Sequence, residues 1–255
     1  LSGQCAMDFV SGMAIYYVDE VLNGYGSGYL IMLMGVLMVS QLLGMLVFTP
    51  IMTRTSKRTT ILIGAPIRIV STLGLLAFSY EGAPIIPILA LAAGIGIGNA
   101  ATLTSIFAIL ADMADVDELI TSTSRPGIVS GMATFARKIS AGLSVWIIGI
   151  LLSLVGYDAK LAQSGIRQAL FTQRGIAMIF IIIPVVLVAF LLLFGYIFPI
   201  TNKEFTVVKQ DIARRRGEDD SVATDEEKRI LERATGFAYE DLWKKSNEHR
   251  IHNHK

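Results

Sequence analysis

The 255 residues include one cysteine, Cys5, so no internal disulfide can form. Histidine occurs only as His249, His252 and His254, an H-x-x-H-x-H alternation near the end of the chain that reads as a polar terminus rather than a metal site. No nucleophile with a base beside it and no ligand cluster stands out, which argues against an enzyme and against a resident cofactor or metal. Charge is scarce at 17%, against about 25% in soluble domains. No segment alternates apolar and polar residues over a strand's length, so a sheet is not expected. Residues 1–22 lack a basic cluster and a small-residue cleavage site, which excludes a signal peptide. They read as a transmembrane helix cut part-way along.

What the chain has instead is apolar length. Hydrophobic residues make up 53% and the mean hydropathy is +0.58, the composition of an integral membrane protein. Runs able to cross about 30 Å of hydrocarbon lie near 29–52, 59–80, 84–111, 126–154 and 175–200, with a less apolar sixth over 1–22. Arg54, Lys57, Arg58, Arg125, Lys203, Lys209 and Arg214 to Arg216 flank one set of span ends, and only Lys160, Arg167 and Arg174 flank the other. The first set is therefore expected on the cytoplasmic side, with the C-terminus. The net charge of +1 says nothing about partners, because the charges are concentrated in the short loops and the C-terminal tail; a nucleic-acid partner is not expected. Residues 1–200 are read as a six-helix bundle and 201–255 as a separate cytoplasmic tail, in which Thr224 and Glu227 have capping-box spacing before a short helix over 225–233.

Glycine spacing suggests close helix contacts. AGIGIGNA around Gly94, Gly96 and Gly98 lies in an apolar helix with no strand before it and no lysine after it, so it is not a phosphate loop. Gly94 with Gly98, and Gly127 with Gly131, are small-xxx-small pairs suited to packing. Pro50, Pro66, Pro87 and Pro184 are expected to bend their helices.

Charge inside the spans is the strongest functional sign. Arg137 and Lys138 lie roughly 17 to 18 Å along the span that starts at Pro126, near the middle of a bilayer. A cation at that depth persists where it faces a protein interior or water and has a partner. Gly127, Gly131, Thr134, Lys138, Gly142 and Val145 follow three-and-four spacing and form one small-residue stripe, with Ser130, Ala133, Arg137, Ser140 and Ser144 beside it. Asp8 in the first span is a candidate counter-charge for Lys138 or Arg137. Arg68 lies about 12 Å from the cytoplasmic end of its span, close enough either to snorkel or to serve as an intramembrane charge. Asp19 and Glu20 are expected in solvent at the far end.

Four stretches then resemble a known family: SGMAIYYVDEVLN at 11–23, TRTSKRTTILIG at 53–64, ILADMADVDELITSTSRPGIVSGMATFARKISAG at 109–142 and LLSLVGYDAKLAQSGIRQAL at 151–170. The opening of the tail, FPITNKEF, is also similar. The chain resembles the C-terminal half of a glycoside-pentoside-hexuronide:cation symporter of the major facilitator superfamily, and the likeness covers nearly all of it. The resemblance implies an all-α membrane protein in the cell membrane, formed by helices seven to twelve of a twelve-helix carrier. It implies a sugar or glycoside substrate driven by Na⁺ or H⁺, with the coupling cation held mainly by the N-terminal six helices, the partner of this half.

Residue by residue, Lys138 matches the family's lysine near the central sugar and cation site, and Thr134 a sugar-facing position one turn earlier. Arg137, Tyr16, Tyr17 and Asp8 complete the expected substrate-facing set. Asp112, Asp115 and Arg125 match a charged loop joining helices ten and eleven, and Arg54, Lys57 and Arg58 the basic loop between helices eight and nine. These six are the expected gating residues. Two positions depart from the pattern. A tryptophan near the sugar aligns with Leu103, and the acidic residue after the loop arginine is Pro126. A non-transporting sensor or scaffold on the same fold is the alternative.

Overall fold

The computed structural model describes residues 2–197 and 202–243. All regular structure among them is helical. The helices are α1 (Ser2–Tyr16), α2 (Tyr29–Arg54), α3 (Lys57–Gly74), α4 (Ile85–Thr121), α5 (Pro126–Leu154), α6 (Ala159–Gln163), α7 (Leu170–Ile197), α8 (Asn202–Arg216) and α9 (Asp225–Thr235). Five of the described helices, α2, α3 with its 3₁₀ extension to Phe78, α4, α5 and α7, are long and apolar enough to cross a membrane. A π-turn over Tyr17–Val21 prolongs α1, giving a sixth segment about 30 Å long.

Close approach organises the centre. α4 lies between α2 and α3 and uses a different glycine face against each. A Cβ on Gly98 would sit 2.7 Å from both the Gly64 carbonyl oxygen and Arg68 Cβ, and one on Gly94 would collide with Ser71. A Cβ on Gly96 would meet Ser40 and the Leu37 carbonyl of α2. The pair Gly94 and Gly98 therefore packs as its spacing predicts. Gly127 and Gly131 do not: among the described residues nothing lies within 4 Å of either Cβ position.

The bundle has two unlike ends. Turns at 22–28 and 79–84 and the α6 region form one end; the α2–α3 and α4–α5 turns and α8–α9 form the other, the tail end. The main apolar core lies toward the first end. It joins Phe9, Met13 and Tyr17 of α1 and its π-turn to Leu33, Ile88, Ile148, Ile176 and Phe180 of the neighbouring helices. In α5 the buried residues are Ser140, Ser144, Ile148 and Leu152, a four-residue repeat turned toward α1. Its tail-end half, 126–139, has no buried residue.

Three expectations are corrected here. The acidic stretch after residue 111 is no loop, because α4 continues to Thr121 and the actual turn is 122–125. Glu20 is not solvated: it is buried, and the Tyr25 hydroxyl donates to it. Residues 202–243 are not a free tail. The helix expected from the capping box forms as α9, with both reciprocal hydrogen bonds of the box present, but α8 precedes it and both pack on α4. Leu119 is fully buried among Val208, Ile212, Leu231 and Leu242. His249, His252 and His254 lie outside the described residues.

Candidate functional site

The small-residue stripe of α5 is open. Thr134, Arg137 and Lys138 are all exposed, as are Gly127, Gly131, Gly142 and Val145 of the same stripe. Helix geometry explains this: Ser140 and Ser144 face α1, and Lys138, two residues before Ser140, points to nearly the opposite side. The seam with α1 is polar. Ser140 Oγ donates to Cys5 Sγ at 2.9 Å, and Cys5 Sγ lies 3.4 Å from Ser144 Oγ. Thr134 turns its hydroxyl back onto the Ser130 carbonyl at 2.8 Å, which leaves the hydroxyl oxygen available as an acceptor.

Neither Arg137 nor Lys138 has an ion-pair partner among the described residues. Asp8 does not neutralise them; its Oδ1 accepts from Gln4 Nε2 at 3.0 Å, and its Oδ2 is buried without a partner among the described residues. The levels account for it. Cys5 is opposite Ser140 and Ser144, and a Cβ on Gly12 would touch Ile148. Asp8 is therefore level with about Ser144, some 9 Å along the helix from Lys138.

The two tyrosines separate. Tyr16 is half-buried and meets the Tyr157 ring edge-on at 5.3 Å between centroids. Tyr17 is fully buried, stacks on Phe180 at 4.4 Å and bonds through its hydroxyl to Ser79, so it is a core residue rather than a substrate-facing one.

Of the expected gating residues, the structure joins Lys57 and Asp112 in an ion pair and places Lys209 of α8 4.0 Å from Asp115. Arg125 pairs with Asp117, 3.3 Å away. Arg58 lies over the Tyr196 ring at 4.9 Å, and Arg54 is exposed at the end of α2. The sequence reading missed Phe205, Lys209, Arg216 and Glu118. Lys57 and Lys209 lie 4.7 and 5.1 Å from the Phe205 ring centre, and Arg216 pairs with the buried Glu118. The spacing of Val116, Leu119 and Ile120 was the available signal, an apolar face on a helix already past its membrane span.

Of the two courses open to Arg68, it takes the second. It does not snorkel; it is 1% exposed, and its Nη1 donates to Asn99 Oδ1 at 2.8 Å. Asn99 in turn donates to Gln41 Oε1 at 2.9 Å. Nε and Nη2 of Arg68 have no partner among the described residues. This polar line ties α3 through α4 to α2 across the bundle.

The family described as MFS/sugar transport protein matches residues 1–202. The chain is 28% identical over 219 residues to the glucuronide carrier protein homolog of Escherichia coli (strain K12), covering 81% of this chain and 44% of that protein. It is 31% identical over 121 residues to a putative sulfoquinovose importer of the same strain, 47% of this chain and 24% of the importer. An uncharacterized symporter of Bacillus subtilis (strain 168) is 24% identical over 212 residues, 82% of this chain and 44% of the symporter. The chain thus spans less than half the length of these relatives. With its apolar helices and a match over four-fifths of its residues, this multi-pass membrane protein belongs to the MFS sugar transport family.

Proposed function

We propose that this chain is the C-terminal half of a sugar:cation symporter of the cell membrane, working by alternating access. Halves of major facilitator carriers are related by an axis along the membrane normal, with the substrate between them near the midplane. The observation that carries the reading is the open stripe of α5, where Arg137 and Lys138 lie exposed near mid-span. Cations at that depth in a membrane need partners, and this half offers them none among its described residues. The partner is then a carboxylate of the N-terminal half, the substrate, or each in turn.

That exchange supplies the coupling. With Na⁺ or H⁺ absent, Lys138 pairs with an acidic residue of the other half. Binding of the cation frees the lysine, and Lys138, Arg137 and Thr134 then face the sugar. A cation drives the cycle only by binding one state better than another, and competition for one carboxylate provides that difference. Glucuronide and sulfoquinovose, the substrates in two relatives' names, are anionic, and paired cations suit an anionic sugar.

Asp112, Asp115, Lys57 and Arg125 serve as gating residues at the tail end, with Arg54 and Arg58 beside them. Their side is cytoplasmic by the excess of basic residues there. Labelling of Ser56→Cys from inside and Asn23→Cys from outside tests that sidedness; the reverse pattern contradicts it. Counterflow of labelled glucuronide in vesicles holding the whole carrier tests transport itself. Exchange is expected, and its absence across acidic and neutral sugars would favour a sensor on the same fold.

A further inference from the structure

One carboxyl group lies inside the bundle without a cation. Asp8 of α1 is level with about Ser144 of α5, well within the apolar span, a depth at which an ionisable side chain is retained for a partner or a task. Its Oδ1 accepts from Gln4 Nε2 at 3.0 Å, while its Oδ2 is buried and receives no hydrogen bond among the described residues. Ser11 and Ile15, three and seven positions on, are exposed, so Asp8 stands at the border between the seam with α5 and open surface. Charged and titratable neighbours are few. On α1, Cys5 lies one turn before Asp8 and Tyr16 two turns after. Arg137 and Lys138 are the only ionisable groups of α5, and Lys138 is about 9 Å nearer the tail end. Arg68 of α3 reaches α1 at Gly3, on another face. Tyr29 and Arg54 of α2, and Arg174 and Tyr196 of α7, lie near helix ends, and α4 has no ionisable group over 85–110.

Charge state decides what it costs to keep Asp8 there. Ionised, both oxygens require donors, and one has none among the described residues; the neutral acid is far less costly to bury. A proton requires neither a cavity nor a set of oxygen ligands, so it is the cation that one enclosed oxygen can accept. We propose that Asp8 is a proton-carrying group of the transport cycle, which makes H⁺ a coupling ion of this carrier. The proposal rests on the symport reading above and adds an ion site on this half, apart from the carboxylate of the other half that pairs with Lys138. A proton from water on the uptake side bonds to Oδ2; after the cavity changes sides the O–H bond breaks and the proton leaves to water there. Ionised Asp8 attracts Lys138 and Arg137 and so competes with an acidic sugar for them, whereas the neutral acid does not. Protonation therefore strengthens sugar binding, and by linkage bound sugar strengthens the hold on the proton.

The test uses the whole carrier in sealed vesicles with Asp8→Asn, which keeps the shape and the contact with Gln4 but takes up no proton. Counterflow of labelled glucuronide, its accumulation under an imposed pH gradient without sodium, and alkalinisation of the outer medium on adding the sugar are read side by side. In Asp8→Asn counterflow should continue, while accumulation should fall to the equilibrium level and the alkalinisation should be lost. Asp8→Glu, which keeps a carboxyl group, should retain all three, and Asp8→Ser should repeat the result of Asp8→Asn should the latter fail to insert. Accumulation driven by the pH gradient in Asp8→Asn as in the unaltered carrier overturns the proposal. So does loss of counterflow in inserted Asp8→Asn, which assigns the residue to sugar binding or packing, and so does counterflow by an unaltered carrier that ignores the pH gradient. No counterflow by the unaltered carrier contradicts the transport reading itself and removes the proposal with it.

Discussion

Ser140 of α5 donates its hydroxyl to the sulfur of Cys5 on α1 across 2.9 Å, and this contact marks the level at which α5 leaves the bundle. Toward the tail end no residue of α5 is buried; away from it Ser144, Ile148 and Leu152 continue the seam. Ser140→Leu should overpack the seam and lower stability by about 1–3 kcal/mol, whereas Cys5→Ser, similar in size and able to keep the hydrogen bond, should be mild. Thermal unfolding of the purified carrier checks the ranking.

Glycines at like spacing should respond in opposite ways. Gly98→Ala puts a methyl group 2.7 Å from the Gly64 carbonyl, against backbone that cannot move aside, so it should lower the melting temperature. Gly131→Ala meets nothing within 4 Å and should leave the fold no less stable, since alanine is the better helix former by up to about 1 kcal/mol.

The buried guanidinium makes a third comparison. Asn99→Leu removes the shorter of two hydrogen bonds made by a fully buried cation, leaving the Gly3 carbonyl at 3.4 Å, a change that should cost about 1.5–3 kcal/mol. Arg68→Met together with Asn99→Leu replaces the pair by apolar side chains and should recover most of that loss. Expression and unfolding of the two variants, measured side by side, decide it; equal damage from both contradicts the account.

The tail offers a pH test. Hydrogen bonds from the Thr224 backbone and from Arg214 hold Glu227 below the usual carboxylate range. Its folded value is depressed, so its contribution is present above the ordinary carboxylate range and is lost as pH falls through the folded value. α9 should therefore loosen in acid, and Thr224→Ala, which removes the cap at a cost of about 1 kcal/mol, should loosen it at neutral pH. Protease cleavage within 225–235 at the two pH values reads the effect.

Hydropathy made the spans legible, because a helix in lipid must be apolar along its length whatever its neighbours are. The α2 run expected over 29–52 forms as Tyr29–Arg54, and the run expected over 126–154 matches α5. The same rule misread the end of α4, where Asp112 to Glu118 lowers hydropathy without ending the helix. Tyr17 was misplaced for a different reason: the resemblance put it beside Tyr16 in the substrate-facing set, yet it continues the four-residue spacing of Phe9 and Met13 and shares their buried face. Gly127 and Gly131 show the limit of spacing, which marks a face able to pack but not whether a neighbour is there. Arg68, Asn99 and Gln41 come together from three helices, and Glu118 and Arg216 from residues 98 apart. Such pairings are set by the packing of whole helices, and one sequence does not contain that information locally.

The central claim is that Lys138 faces the transport pathway rather than fixing the fold. Its side chain is exposed, unpaired among the described residues and on the side of α5 away from its seam, so its loss should not disturb packing. The decisive measurement is concentrative uptake of a labelled acidic sugar by the whole carrier with Lys138→Ala, scored against its amount in the membrane and its melting temperature. Uptake should fall to background with insertion and stability unchanged, and Arg137→Ala, nearer the seam, should be milder. Undiminished concentrative uptake by Lys138→Ala would contradict the account.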